Sequence, residues 1–182
     1  MKKIPTSIEG CFLITGEPFV DQRGTFSRKF CMKEFDPDFE FFWVQENVST
    51  NILRGTLRGM HMQSEPNGEI KLVSCTKGTI YDVVIDLRAD SSTFGDWEGF
   101  ELSEGEIKSV FVPAGCGHGY LTLTDDTEVR YLVSEYYVPG AEVGIKWDDP
   151  DVGVQWPIDV EIVSDKDGNN QSLTNYKSGL NS

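Results

Sequence analysis

Long apolar runs are missing from this 182-residue chain, and so is any excess of positive charge. No segment approaches the roughly eighteen apolar residues of a membrane-spanning helix, so no membrane partner is expected. The opening MKKIPTSIEG is basic but has no apolar stretch of signal-peptide length. Sixteen Lys and Arg stand against thirty Asp and Glu, a formal net charge of -14. That balance excludes a fold-wide basic surface for nucleic acid and argues against adhesion to an anionic membrane. It also repels anionic small molecules, so an anionic substrate would need a locally basic pocket. The four cysteines, Cys11, Cys31, Cys75 and Cys116, form no C-x-x-C pair. They are expected to be reduced, mostly buried thiols in a cytoplasmic protein, neither zinc ligands nor a disulfide frame.

What the chain does have is short strands and turns. Eighteen glycines and 12% aromatic residues favour packed sheets. CFLIT (11–15), FFWVQ (41–45), IKLVSC (70–75) and TIYDVVIDL (79–87) carry strand patterns. So do WEGFEL (97–102), IKSVFV (107–112), YLTL (120–123) and EVRYLVS (128–134). Turn signals such as Pro66-Asn67-Gly68, Lys77-Gly78 and Pro113-Ala114-Gly115 separate them. The expectation is one all-β domain over 1–182, a sandwich or jelly roll with few short helices. One helical turn is expected around Met32–Phe35. The polar stretch from about residue 170 is expected to be a loosely held tail.

The only two histidines lie in informative frames. Gly55 precedes His61 with five residues between, and Pro113-Ala114-Gly115-Cys116-Gly117-His118 follows about fifty residues later. Gly-x5-His and Pro-x-Gly-x-x-His resemble the two motifs of cupins, which would aim both imidazoles into one small barrel. A metal-binding cupin carries a second histidine where this chain has Gln63, and Glu69 is off spacing. Two imidazoles and an amide make a poor transition-metal set, so no metal is expected. Gln45, Asn47 and Ser49 share one face of a strand by the two-residue period, and in a barrel that face can line the lumen. Lys71 sits inside an apolar run, where a lysine without a function is costly to bury. An edge position with a snorkelling side chain is the bland alternative.

With these residues in view, the sequence resembles the sugar-nucleotide 3,5-epimerases of deoxysugar synthesis, a family typified by dTDP-4-dehydrorhamnose 3,5-epimerase. The matching blocks run in order from FVDQRGTF (19–26), QENVS (45–49), LRGMH (57–61), KLV (71–73) and YDVVIDLR (81–88). They continue through STFGDW (92–97), VPAGCGHGYLTL (112–123), YLVSEYY (131–137), WDDP (147–150) and SDKD (164–167). The resemblance implies a cupin-type jelly roll, a homodimer and acid/base chemistry on a nucleotide-linked 4-keto sugar, with neither metal nor cofactor. It implies His61 as base, Asp167 as its orienting carboxylate, Tyr131 as general acid and Lys71 as stabiliser of an enolate. Arg23 and Arg58 match diphosphate-binding positions, Arg23 reaching in from the partner subunit. Phe26, Gln45, Asn47, Ser49, His118 and Tyr137 match substrate-side positions. Arg28 stands where the family usually has a glutamate near the nucleobase, which inverts the donor/acceptor demand there if its side chain points inwards.

The residue types suit the chemistry independently of the family. A proton next to a ketone is acidic because its anion delocalises onto the ketone oxygen. Neutral imidazole suits its removal near neutral pH, and a cation at the oxygen stabilises the enolate. Inversion needs a proton from the other face, which a phenol can supply because it stays protonated at pH 7. Alternatives remain open from the residues alone. Tyr131 fits a core aromatic and Asp167 a turn residue before Gly168. Asp82 and Asp86 are further carboxylates for His61, read here as structural, with Asp86 beside Arg88. Trp147 and Trp156 are read as packing residues. A single-carbon epimerase or a non-catalytic sugar-nucleotide-binding cupin would carry many of the same residues.

Overall fold

The alternation of small, β-branched and aromatic residues resolves into thirteen strands and three short helices in a computed structural model, which describes residues 1–35 and 41–180. β1 (Lys2–Pro5) and β2 (Phe12–Thr15) precede a small hairpin of β3 (Phe19–Asp21) and β4 (Gly24–Phe26) and the helix α1 (Met32–Phe35). Then come β5 (Gln45–Asn51), β6 (Leu57–Gln63), β7 (Lys71–Lys77), β8 (Thr79–Asp86) and β9 (Trp97–Ser103). The chain continues as β10 (Lys108–Val112), β11 (Cys116–Thr122), β12 (Thr127–Val133) and β13 (Glu142–Gly144), and ends with α2 (Asp165–Gly168) and α3 (Leu173–Leu180).

Two antiparallel sheets face each other as a jelly roll. One has the order β1-β2-β10-β7-β12-β5, the other β13-β6-β11-β8-β9. Every second residue of β7, β10 and β12 points inwards: Val73, Cys75, Val110, Val112 and Val129 meet Ile80, Val84, Leu102 and Tyr120 of the opposite sheet. Burying such a Val or Leu side chain is worth about 1.5–3 kcal/mol. A second apolar layer, including Met60, Val83, Ile85 and Leu173, covers the outside of the five-stranded sheet. At one end of the lumen this apolar filling gives way to polar side chains.

Two expectations need correction. Phe41 to Val44 form no strand; the strand begins at Gln45. The aromatics instead cover the outer face of the six-stranded sheet, with Phe41 edge-on to Trp43 at 4.8 Å and both packed against Ile14, Leu72 and Phe111. A run of bulky apolar residues satisfies a packing layer as well as it satisfies a strand. Nor is the C-terminal stretch loosely held. Leu173 is buried, its amide donates to Asp149 Oδ2 at 3.0 Å, and the Tyr176 hydroxyl donates to the Leu87 carbonyl at 3.1 Å. Spacing of three residues puts Leu173 and Tyr176 on one face of α3, enough to dock an otherwise polar helix.

Asp86 shows how charge is accommodated in this fold. It is fully buried and accepts hydrogen bonds from Arg88 Nε (2.9 Å), Arg88 Nη2 (2.7 Å), Ser91 Oγ (2.5 Å) and Thr93 Oγ1 (2.6 Å). Burial alone would raise its pKa, but these donors hold it at about 2, below the ordinary 3.8. Because the folded value is the lower one, its contribution to stability is present above about pH 3.8 and lost as the pH falls towards 2. Asp86→Asn should destabilise the protein by about 3 kcal/mol in urea denaturation at pH 7. The gap to wild type should shrink across the same acid window.

Candidate active site

The open end of the barrel is built by both sheets. β6 and β11 bring His61 and His118 from the five-stranded sheet, directly paired across their ladder. β7 and β12 bring Lys71 and Tyr131 from the six-stranded sheet. β5 lays Gln45, Asn47 and Ser49 along the same side, with Glu46, Val48 and Thr50 turned outwards and exposed. The expected lumen-facing alternation is therefore present. Two adjoining cavities, about 310 and 130 Å³, share His61, Lys71 and Tyr131 as common walls. The larger contains Ser49, Arg58, His118 and Asp167; the smaller contains Gln45, Asn47, Glu69 and Tyr137.

His61 is fixed by a carboxylate more than a hundred residues away in sequence. Its Nε2 lies 2.7 Å from Asp167 Oδ1, and the other carboxylate oxygen accepts from the Gly59 amide at 3.1 Å. Ser164 caps α2 by accepting from the Asp167 amide, which sets the direction of that side chain. Burial would raise the Asp167 pKa, but the hydrogen bond and charge of His61, with the Gly59 amide, outweigh it and hold the carboxyl below its ordinary value. With Nε2–H donated to Asp167, Nδ1 carries the lone pair. Asp82 is not a partner of His61. It is fully buried and binds His118 Nε2 at 2.7 Å, making a second imidazole–carboxylate pair. Asp86 serves Arg88, as read from the sequence.

The remaining polar groups divide by charge. Lys71 Nζ pairs with Glu69 Oε1 at 2.9 Å and donates to the His61 carbonyl at 3.3 Å, leaving one N–H for the cavity. The phenol of Tyr131 is pushed upwards mainly by burial, reinforced by Tyr120 and Glu69 and opposed by Arg58, so it stays protonated at neutral pH. Arg58 Nε donates to Asn51 Oδ1 at 2.8 Å, which turns its terminal nitrogens free of that bond. Tyr120 donates to Ser49 at 2.9 Å. Glu142 lies 3.9 Å from His61 Nε2 and is held by Lys166. Among the described residues, no group of three His, Cys, Asp or Glu side chains converges as a metal site.

Three of the expected site residues lie elsewhere within one chain. Arg23 is exposed on the β3–β4 hairpin and pairs with Asp21 at 2.6 Å. Phe26 and Arg28 line a separate cavity of about 490 Å³ with Met1, Lys2 and Phe19. There Arg28 is held by Glu34, which also binds the terminal amine.

The sequence profile of the dTDP-4-dehydrorhamnose 3,5-epimerase family matches residues 5–175. The chain belongs to that family. A dTDP-4-dehydrorhamnose 3,5-epimerase of Methanothermobacter thermautotrophicus is 42% identical over 171 residues, covering 91% of each chain. Among solved structures, the enzyme of that name from Bacillus anthracis, with TDP and PPi bound, superposes with a TM-score of 0.90 at 37% identity, covering 94% of this chain and 98% of the other. A 3'-monoepimerase from Streptomyces bikiniensis in complex with dTDP-quinovose does so with 0.89 at 36% identity, covering 98% and 90%. The protein is an isomerase of the epimerase type.

Several residues of this epimerase fold were not singled out from sequence. Tyr120 and Asn51 lay hidden in strand patterns. Glu142 and Lys166 carried no signal beyond charge, although Lys166 adjoins Asp167. Asp82 was read from the sequence as structural, and a carboxylate inside TIYDVVIDL demands a buried partner, which is His118. Gly59 combines a positive φ with backbone neighbours that cannot swing away. At φ +127° an added Cβ would meet Gly119 Cα at 2.5 Å and the His118 carbonyl at 2.8 Å. Gly59→Ala should therefore lose at least about 1–3 kcal/mol by chemical denaturation. Gly168→Ala, with open space around it, should stay within about 0.5 kcal/mol of wild type.

Proposed function

We propose that the protein inverts carbon 3, carbon 5 or both of a dTDP-linked 4-keto-6-deoxyhexose, without metal or other cofactor. The observation that carries this reading is the opposition of His61 and Tyr131. They stand on facing sheets across one cavity, with Lys71 beside them. His61 Nδ1 takes the proton next to the ketone while Asp167 stabilises the imidazolium. The electron pair moves onto the ketone oxygen, where the free N–H of Lys71 donates to it. Tyr131 returns a proton from the other face, and the configuration inverts. Arg58, His118, Ser49 and Lys166 suit the diphosphate; Gln45, Asn47 and Tyr137 suit the sugar. The ligands named for the Bacillus anthracis and Streptomyces bikiniensis structures support a thymidine nucleotide. The engagement of Arg28 by Glu34 supports a reading in which Arg28 does not address the base.

The same reading calls for a homodimer in the cytoplasm. Phe19, Val20 and Phe26 are 70–74% exposed on one small hairpin, an apolar patch suited to a second copy. Arg23 on that hairpin would then complete the partner's diphosphate site. No helix is long and apolar enough to cross a membrane among the described residues.

Proton exchange tests the proposal. With dTDP-4-keto-6-deoxyglucose in deuterated water, NMR should show wash-in at carbon 3, carbon 5 or both. His61→Ala should lower it by about a hundred- to ten-thousand-fold while the fold survives. Mixing His61→Ala with Arg23→Ala protomers should restore activity through heterodimers. Exchange at near the wild-type rate in His61→Ala removes the base assignment, and no recovery after verified subunit mixing removes the shared site.

A further inference from the structure

Gln63 is two residues beyond His61 on β6 and faces the same side of the strand. It is 2% exposed, and its amide is fully engaged. Nε2 donates towards Glu69 Oε2 (3.0 Å), the Tyr136 carbonyl (3.2 Å) and the Asn67 carbonyl (3.3 Å). Oε1 accepts from the Val138 amide at 2.8 Å. Two amide hydrogens serve three acceptors, so one is shared. These partners belong to two different pieces of the site. Tyr136 to Val138 carry the half-exposed ring of Tyr137 onto the rim of the smaller cavity. Glu69 holds Lys71 through its other oxygen at 2.9 Å. One buried amide thus joins the cavity rim to the cation that the proposed reaction uses at the ketone oxygen.

We propose that Gln63 is a positioning residue that locks Glu69, and through it Lys71, to the Tyr136–Val138 segment. This inference rests on the proposed epimerase reading for its kinetic consequence, not for its structural one. The ammonium of Lys71 has rotational freedom about four side-chain bonds. Among the described residues, the polar groups that restrain it are the Glu69 carboxylate and the His61 carbonyl. Glu69 is itself restrained by Gln63. A catalytic group misplaced by about 1 Å can lose about a hundredfold in rate.

Two variants separate the rim from the cation. Gln63→Glu keeps an oxygen to accept from the Val138 amide but sets a carboxylate against Glu69 and gives up the donations to the Tyr136 and Asn67 carbonyls. Gln63→Leu removes the Val138 contact as well. Three readouts apply: amide exchange at Val138, the Lys71 Nζ position in crystal structures, and kcat with KM and dTDP affinity. Gln63→Glu should keep Val138 protected, displace Lys71 Nζ from its wild-type position by about 1 Å, and lower kcat about ten- to a hundredfold. Its dTDP affinity should stay within about threefold of wild type, because Arg58, Ser49 and His118 are untouched. Gln63→Leu should also lose Val138 protection. An unmoved Lys71 with normal kcat in Gln63→Glu overturns the coupling and leaves Gln63 a rim anchor. Loss of dTDP binding in step with kcat overturns it too. If wild type turns over no 4-keto sugar, the epimerase reading fails, and the Lys71 position in the crystal still decides the coupling.

Discussion

The 2.7 Å hydrogen bond between His61 and Asp167 ties the barrel to the segment that closes it. A carboxylate at 5% exposure is tolerated only when its lone pairs are occupied. Here His61, the Gly59 amide and the Ser164 cap occupy them or set their direction. The close approach of β6 to β11 at Gly59 exists within the same constraint, since any side chain there would separate the strands. The pair leaves one ring nitrogen of His61 facing the cavity. Orientation of the imidazole, a hydrogen on Nε2 donated to Asp167 and ionisation of Asp167 are one arrangement.

Charge is segregated around that arrangement. The chain as a whole carries -14, yet the larger cavity gathers Arg58, Lys71, Lys166 and two imidazoles against the single carboxylate of Asp167. The smaller cavity is different, with Glu69, Glu135 and Glu142 around Lys71. An anion entering this field is therefore directed to one end. Under the proposed function, the neutral part of the ligand is then left where His61, Tyr131 and Lys71 meet. The two cavities adjoin at His61, Lys71 and Tyr131, so a ligand spanning them passes all three.

Much of this was legible in the sequence where a residue violated its local pattern. QENVSTN shows a polar alternate face, and that face lines the lumen. Lys71 interrupts an apolar strand, and it is buried beside Glu69. Local pattern failed where two structures satisfy it equally. FFWV fits a strand or an aromatic cover, and packing on Phe111 decides for the cover. Long-range pairing was not legible from the residues alone. Nothing in SDKD says that Asp167 meets His61, and nothing in TIYDVVIDL says which histidine Asp82 serves. Family resemblance supplied the first of these, and only coordinates supplied the second. Arg23 and Phe26 lie on an exposed hairpin and Arg28 just beyond it, outside the His61 cavity within one chain.

In the proposed reaction, proton removal and proton return use opposite walls of the barrel. Tyr131→Phe separates them, because it deletes the phenol hydroxyl and keeps the ring that packs in the lumen. The decisive measurement is NMR of a dTDP-4-keto-6-deoxyhexose in deuterated water, following deuterium content and configuration at each carbon together. Tyr131→Phe should still wash deuterium in from the His61 side with retained configuration, while the inverted product falls by about a hundredfold or more. Inversion at the wild-type rate would contradict it.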